Sequence, residues 1–238
     1  MTAAAVAPPS AASQLPPSRA VAYERVLHRT VCRELRTLAE LATWAPGDDA
    51  DHTAALGRHA GLLVRVLLQH HRTERDLLWP ALLRSVPAAD AAAVRARVTR
   101  WADRCAGLDN DLRDLCTAAR QWAVAQSAPA RDRFALACLD LADALDAQTA
   151  EEERELLPLL AEHLPAEEWT AVTRAARCDL SARERLLVLG LVLEDASPGD
   201  RARLLSGLPR RTRLAWRLFG RDRYRAAVVR LRGAPPAH

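Results

Sequence analysis

The stretch from His70 to Pro80, with the sequence HHRTERDLLWP, most constrains what this chain can fold into. His70 and Glu74 are four residues apart, so in a helix their side chains project side by side. Leu63 and Val66 lie upstream on the same face, which indicates that this face points inward. A buried imidazole and a buried carboxylate need a partner, because burying an unpaired charge is costly. A metal ion held between the helices of a bundle is one such partner.

A second copy of this stretch, altered at its first histidine, occurs later in the chain. The two copies match position by position, with Gln148 for His70, Glu152 for Glu74, Leu156 for Leu78 and Pro158 for Pro80. The repeat therefore predicts two related helix pairs, each ending in a helix that carries a carboxylate.

Together these motifs resemble the hemerythrin-like proteins of the HHE cation-binding family, in the form common in actinobacteria. The family pattern has a His on the first helix, His-x-x-x-Glu on the second, a His on the third and His-x-x-x-Glu on the fourth. The resemblance covers residues 18 to 170 or so. The segment from Leu27 to Leu35 resembles the first helix, and the segment from His70 to Pro80 closely resembles the second. The resemblance implies a four-helix bundle with a non-haem di-iron site.

Carried onto this sequence, the resemblance implies metal ligands at four positions: His28, His70, Glu74 and Glu152. Gln148 replaces the fourth-helix histidine. The third-helix histidine should fall near Cys105, with Ala106 or Leu108 as alternatives, and no histidine lies there. Cys105, Gln148 and His71 are further candidate ligands. A thiolate suits zinc or iron, although a free cysteine is more often a small buried apolar residue.

Two more histidines lie on the second helix. His71 points roughly 100° away from His70, which predicts a residue that supports the site or lies at the surface. His59 is three turns before His70, roughly 16 Å along the axis. His59 therefore cannot share an ion with His70, and we expect it beside the bundle interior or at the surface.

Each candidate has an alternative interpretation that involves no metal. His70 and Glu74 could form an exposed ion pair on a helix surface, and His28 could be a hydrogen-bonded core histidine. Glu152 lies in a run of three glutamates that is also typical of a solvated face. Without metal, Glu74 and Glu152 would face each other in the core and one would tend to hold a proton.

Two functions follow for the bundle. The first is a partial non-haem metal site that binds at most one ion, iron or else zinc, and handles iron, oxygen or nitric oxide as the resembling family does. The second is a metal-free bundle whose polar cavity binds a small molecule or acts as a catalyst without a cofactor. Four ligands suffice for one divalent ion with open positions and are few for two ions.

The composition favours an all-helical chain, because Ala, Leu, Arg and Glu are abundant while β-branched and aromatic residues are few. We predict an antiparallel up-down four-helix bundle over residues 18–164, with helices near 18–44, 51–84, 88–126 and 130–163. Pro80 should kink or end the second helix. Residues 1–17, rich in Ala and Pro, read as a disordered tail.

The five cysteines have no paired spacing, which argues against a disulfide framework and for a reducing compartment. The chain starts without the basic region and apolar run of a signal peptide. The longest apolar run is too short to span a membrane. We therefore predict a cytoplasmic protein.

Residues 165–238 are predicted to form a basic helical extension. All 34 basic residues of the chain are arginine, and nine of them follow Pro209 with a single aspartate, so that this segment carries +8 and the remainder −4. Gly220 is expected to break the last helix. Such a segment could bind nucleic acid, an anionic membrane or the bundle itself. Packing on the bundle is the expectation we favour, and a separate interaction module is the third function considered.

Overall fold

The computed structural model describes residues 18–46 and 48–236, and within those ranges it contains helices and no strand. The bundle consists of α1 (Arg19–Trp44), α2 (Ala50–Thr73), a π-helical turn (Glu74–Leu78), α3 (Trp79–Ser85), α4 (Ala91–Ala125), α5 (Ala128–Glu155) and α6 (Leu157–His163). The remainder consists of α7 (Ala166–Ala175), α8 (Ala182–Asp195), α9 (Pro198–Gly207), α10 (Arg210–Ala215), a second π-helical turn (Trp216–Gly220) and α11 (Arg221–Arg232). The predicted tail at residues 1–17 lies outside the described residues.

The four long helices α1, α2, α4 and α5 pack in a closed ring, each against two neighbours. Side-chain caps begin two of these helices. Ser18 accepts a hydrogen bond from the Val21 amide at the start of α1, and Asp49 accepts one from the His52 amide at the start of α2. The prediction of an all-α bundle is confirmed. The division at residue 164 remains a prediction.

The core of the bundle is built from apolar stripes that run along its helices. On α4 the stripe is buried throughout: Trp101, Cys105, Leu108, Leu112, Leu115 and Trp122. The face of α1 that carries His28 is buried at Cys32, Leu35 and Ala39 as well. Residues three or four apart share a helix face, so polar residues at this spacing from the apolar ones also face the interior.

Pro80 does not end the second helix, which continues to Ser85. The backbone instead widens by one residue per turn from Glu74 to Leu78, and the amide of Trp79 donates to the carbonyl oxygen of Glu74. Proline lacks an amide hydrogen, so it cannot complete the regular ladder, and a π-turn is one accommodation. The second copy differs, since α5 ends at Glu155 and a new helix starts two residues later, just before Pro158.

The C-terminal helices pack on the bundle. Helices α8 and α9 contact α1, where Val26 and Leu27 meet Val192 and Ala196. Gly220 does not break the last helix, contrary to expectation, and its backbone is helical with φ −65°. A β-carbon there would lie 2.7 Å from Cε3 of Trp216, so glycine makes room for that ring. Among the described residues, no helix is both long enough and apolar enough to cross a membrane.

Candidate metal centre

Seven ionisable side chains are buried together inside the bundle, and none is more than 7% exposed. We call this group the core polar cluster, and it consists of Glu24, His28, His70, His71, Glu74, Cys105 and Glu152. The four helices α1, α2, α4 and α5 all reach it, and Glu74 lies on the π-helical turn that follows α2. The four ligand positions implied by the family resemblance therefore lie together, and three further residues join them.

The two predicted histidines face each other across α1 and α2. Their Nε2 atoms are 3.0 Å apart, and the Nδ1 atom of His28 lies 2.9 Å from Oε2 of Glu152. His70 Nε2 also lies 3.8 Å from Oε2 of Glu74. The His70 and Glu74 pair is therefore buried, and its interpretation as an exposed ion pair is wrong.

Glu24 belongs to the cluster, and sequence reasoning missed it. Its Oε2 atom lies 3.2 Å from Nε2 of His70. The signal was present, because Glu24 precedes His28 by four residues, which is the spacing of His70 and Glu74 in the reverse order. Glu24 therefore shares a helix face with His28.

The donor atoms form three overlapping groups, and within each group the atoms lie within 4.8 Å of one another. The groups are Glu24 with His28 and His70, His71 with Glu74 and Cys105, and Glu24 with Glu74 and Glu152. The third group links the other two, since each of them shares a carboxylate with it. Carboxylate oxygen and imidazole nitrogen are suitable ligands for a divalent transition metal.

Cys105 lies where the missing third-helix histidine was expected. Its thiol is 3.9 Å from Oε2 of Glu74, and the side-chain amide of Gln148 donates to its sulfur at 3.2 Å. Gln148 is half-buried at the edge of the cluster. Of the two alternatives for this position, Ala106 is exposed and Leu108 lies in the apolar core. Burial and the neighbouring Glu74 carboxylate raise the pKa of the Cys105 thiol.

His71 is not at the surface, since only 2% of it is exposed. Its Nδ1 atom lies 2.6 Å from Oδ1 of Asp109 on α4, and Nε2 has no hydrogen-bond partner in the described structure. A carboxylate that fixes one ring nitrogen leaves the other directed for use as a ligand. Asp109 was not identified from the sequence, because no spacing pattern along the chain indicates which residues of two different helices will be in contact.

Burial perturbs the acid–base properties of the cluster. Removal from water raises the pKa of Glu24, and the charges of Glu74 and Glu152 raise it further. The pKa of Glu74 is raised by burial and by the charge of Glu152, against the lowering effect of the neighbouring Trp101 indole and Cys105 thiol. Burial and two neighbouring histidines lower the pKa of His70. The cluster therefore resists holding three negative charges unless a cation compensates them.

The hydrogen bonding is incomplete where the cluster converges. In the described structure, Oε1 of Glu74 and Oε1 of Glu152 are buried without a hydrogen-bond partner, whereas Oε2 of Glu24 and Oε2 of Glu152 lie close to His70 and His28 without hydrogen-bond geometry. Buried polar atoms in proteins are normally paired. These oxygens and the adjacent imidazole nitrogens fit the requirements of a divalent cation.

His59 lies outside the cluster, as predicted from its distance, but it is buried rather than at the surface. Its Nε2 atom is 2.9 Å from Oε2 of Glu34. Arg33 and Arg232 also pair with Glu34, and Arg232 pairs with Glu194 as well. We call these five residues the Glu34 network. This network connects the last helix to α1 and was not foreseen from the sequence.

Comparison with known proteins supports the same grouping. No curated protein and no solved structure matches the chain. The sequence pattern of the Hemerythrin HHE cation binding domain matches residues 20–173, which is more than half of the chain. The match ends within α7 and includes every residue of the core polar cluster. The chain therefore belongs to the hemerythrin HHE cation-binding family.

Proposed function

We propose that the core polar cluster binds a metal ion and that iron is its normal occupant. The observation that carries this proposal is the convergence of unpartnered carboxylate oxygens with imidazole nitrogens in a buried site. A dication would offset the mutual repulsion of Glu24, Glu74 and Glu152. The site is also buried, and the attraction between a dication and carboxylates is stronger there than in water.

The group of Glu24, His28 and His70 is the position that we assign to this ion. It supplies two nitrogens and one oxygen, the set of ligands that suits non-haem iron with open positions. Glu74 and Glu152 lie within reach of Glu24 and would complete the charge balance. We retain the expectation of at most about one tightly held ion per chain.

Bound iron would supply the capacity to bind a diatomic gas such as oxygen or nitric oxide, which is the role proposed here. The contribution of the chain is to hold the ligands and to exclude water. Leu78 and Trp79 are buried beside the carboxylate turn, and the ring of Tyr23 packs 5.9 Å from that of His70. These side chains shield the site from water with apolar groups.

Cys105 bears on the identity of the metal. A thiolate favours zinc over harder cations, so zinc is the second candidate occupant. The hydrogen bond from Gln148 to the sulfur would stabilise a thiolate. We include Cys105, Gln148 and His71 as accessory ligands and leave the principal position to Glu24, His28 and His70.

A metal-free function is the alternative, and the raised pKa values of Glu24 and Glu74 favour it. Carboxyl groups whose pKa is raised by burial hold their protons more readily, so they can act as general acids or donate hydrogen bonds to a bound small molecule. This alternative places the same residues in a catalyst without a cofactor. Metal content separates the two functions.

The decisive experiment is elemental analysis of protein purified from iron-replete medium and of the same protein reconstituted with iron or zinc. We expect about one equivalent of metal in the wild type. His70→Ala and Glu74→Ala should each lose it, whereas His52→Ala, which alters another histidine of α2, should retain it. A wild type that stays metal-free after reconstitution would overturn the metal proposal in favour of the alternative. Two tightly held irons with an oxo-bridged absorption spectrum would overturn the single-ion count.

A further inference from the structure

The helical segment from α10 to α11 has two different sides. Its inner side carries Trp216, Tyr224 and Val228, which are buried against α8. Its outer side exposes large apolar residues: Leu214 at 57%, Leu218 at 67%, Phe219 at 40% and Val229 at 40%. The segment is therefore held on the protein by one side while the other side presents apolar surface to solvent.

Arginines surround these apolar residues. Seven of them are exposed: Arg210, Arg211, Arg217, Arg221, Arg223, Arg225 and Arg230. In the described part of the chain, none of the seven forms an ion pair. Asp222 is the one acidic residue after Pro209. The guanidinium groups on this outer side thus carry charge that the protein does not neutralise.

Two other arginines of this protein, Arg232 and Arg33, form ion pairs with carboxylates of the protein itself. Arg232 lies in the same helix, is mostly buried, and pairs with Glu34 and Glu194. Arg33 pairs with Glu34 and Asp195. Packing of the last helix on the bundle therefore uses Arg232 and leaves the seven outer arginines available for a partner.

We infer that this outer side, defined by Leu214, Leu218, Phe219 and the seven exposed arginines, docks on the surface of a membrane that contains anionic phospholipids. Arginines beside exposed leucine and phenylalanine are the combination found on helices that lie in a membrane interface. The guanidinium groups match lipid phosphates in shape and charge. The apolar side chains would enter the boundary of the acyl chains.

Exposed leucines distinguish this partner from nucleic acid. A nucleic acid would also attract the arginines, but its phosphate backbone offers little to Leu214 and Leu218. The rest of the chain carries a net charge of −4, so an anionic surface would repel the bundle while attracting the last helix. This difference would orient the molecule with α10 and α11 toward the membrane.

The test is co-sedimentation of the full chain with phosphatidylglycerol-containing vesicles and with pure phosphatidylcholine vesicles. We expect the wild type to bind the anionic vesicles and to be released by high salt. The double variant Leu214→Ser/Leu218→Ser should bind about tenfold more weakly, because its interfacial apolar area is lost. Arg217→Gln/Arg221→Gln should also weaken binding. Both pairs are exposed, and an unchanged helical circular dichroism spectrum would show that the fold is retained.

The matched control is Arg133→Gln/Leu136→Ser, which removes an exposed arginine and an exposed leucine from α5. This control should bind the anionic vesicles like the wild type. Three outcomes would overturn the inference: no vesicle binding by the wild type, vesicle binding that the leucine variant retains in full, or binding to DNA alone. Concentration-dependent dimerisation that the leucine variant abolishes, without vesicle binding, would instead assign this side to a second copy of the chain.

Discussion

The Nε2 atoms of His28 and His70 lie 3.0 Å apart, although 42 residues separate them along the chain. One proton fits between the two Nε2 atoms at this distance, and a further proton would create a buried positive charge beside a second imidazole. This arrangement lowers the pKa of His70, together with burial and His71. A lowered pKa favours the neutral imidazole of His70, which is the protonation state that metal binding requires.

Glu24 provides the first prediction, because the structure and not the family pattern identified it. Glu24→Gln keeps the shape of the side chain and removes its charge, so we expect the variant to lose most of its metal. Glu40→Gln, at an exposed position of the same helix, should bind metal like the wild type. Elemental analysis and calorimetric titration with ferrous iron would measure the difference. Equal metal content in the two variants would exclude Glu24 from the site.

The second prediction concerns restoration of the two absent histidines. Cys105 and Gln148 contact each other beside Glu74, so Cys105→His/Gln148→His should add nitrogen donors at the cluster. Imidazole binds at roughly 2.0 to 2.1 Å to zinc, where a glutamine amide is a poor ligand. We expect metal content above that of the wild type, with a smaller gain for Gln148→His alone.

Cys116→His, at a half-buried position of α4 away from the cluster, is the control for that variant and should leave metal content unchanged. If the double variant keeps its helical circular dichroism spectrum but gains no metal, then residues 105 and 148 do not occupy the positions of the family's ligand histidines. Such a result would favour the metal-free function.

Glu34 provides a prediction about pH. Burial alone would raise its pKa, but the hydrogen bond from His59 and the charges of His59, Arg33 and Arg232 outweigh burial and lower it from 4.5. A lowered pKa in the folded state means that the carboxylate stabilises the fold above pH 4.5 and that this contribution is lost as the pH falls through the folded-state value. Glu34→Gln should therefore be destabilised at pH 7, by about 3 to 5 kcal/mol for a broken buried pair.

Urea unfolding at a series of pH values would measure this effect. The difference in unfolding free energy between the wild type and Glu34→Gln should shrink as the pH falls below 4.5. Glu40→Gln, exposed on the same helix, should stay within about 0.5 kcal/mol of the wild type at each pH. A difference for Glu34→Gln that is constant with pH would mean that its charge does not stabilise the fold.

The last prediction concerns the close contact between Gly190 on α8 and the last helix. A β-carbon at this position of α8 would lie 2.2 Å from Cδ2 and 2.3 Å from Cγ of Tyr224 on α11. Gly190→Ala must therefore displace the Tyr224 ring, and we expect a loss of about 1 to 3 kcal/mol in unfolding free energy.

Gly107→Ala is the matched control, because Gly107 lies within α4 and no atom would come within 4 Å of its added methyl group. Alanine favours a helix over glycine, so this variant should gain up to about 1 kcal/mol. Thermal unfolding followed by circular dichroism would compare the two variants. If both variants were stabilised alike, the contact between Gly190 and Tyr224 would be absent in solution.

Local patterns in the sequence predicted the helices and the direction in which their faces point. The period of the apolar residues determined the stripes on α1 and α4, and breaker residues near Pro46 and Pro129 separated the helices. The same periodicity carried His28 and His70 inward, since a polar residue on an apolar stripe is buried with it. Spacing and the family resemblance thus identified four of the seven cluster residues as ligands and two more, Cys105 and His71, as candidates, so that only Glu24 was missed.

Only the tertiary structure decided how the helices meet. The spacing of Glu24 and His28 shows that they share a face, but the distance from Glu24 to His70 depends on the rotation and stagger of α1 against α2. The contacts of His71 with Asp109 and of Arg232 with Glu34 also join residues far apart in the chain. A helix repeats its own geometry locally, whereas its position against a neighbour results from packing over its whole length.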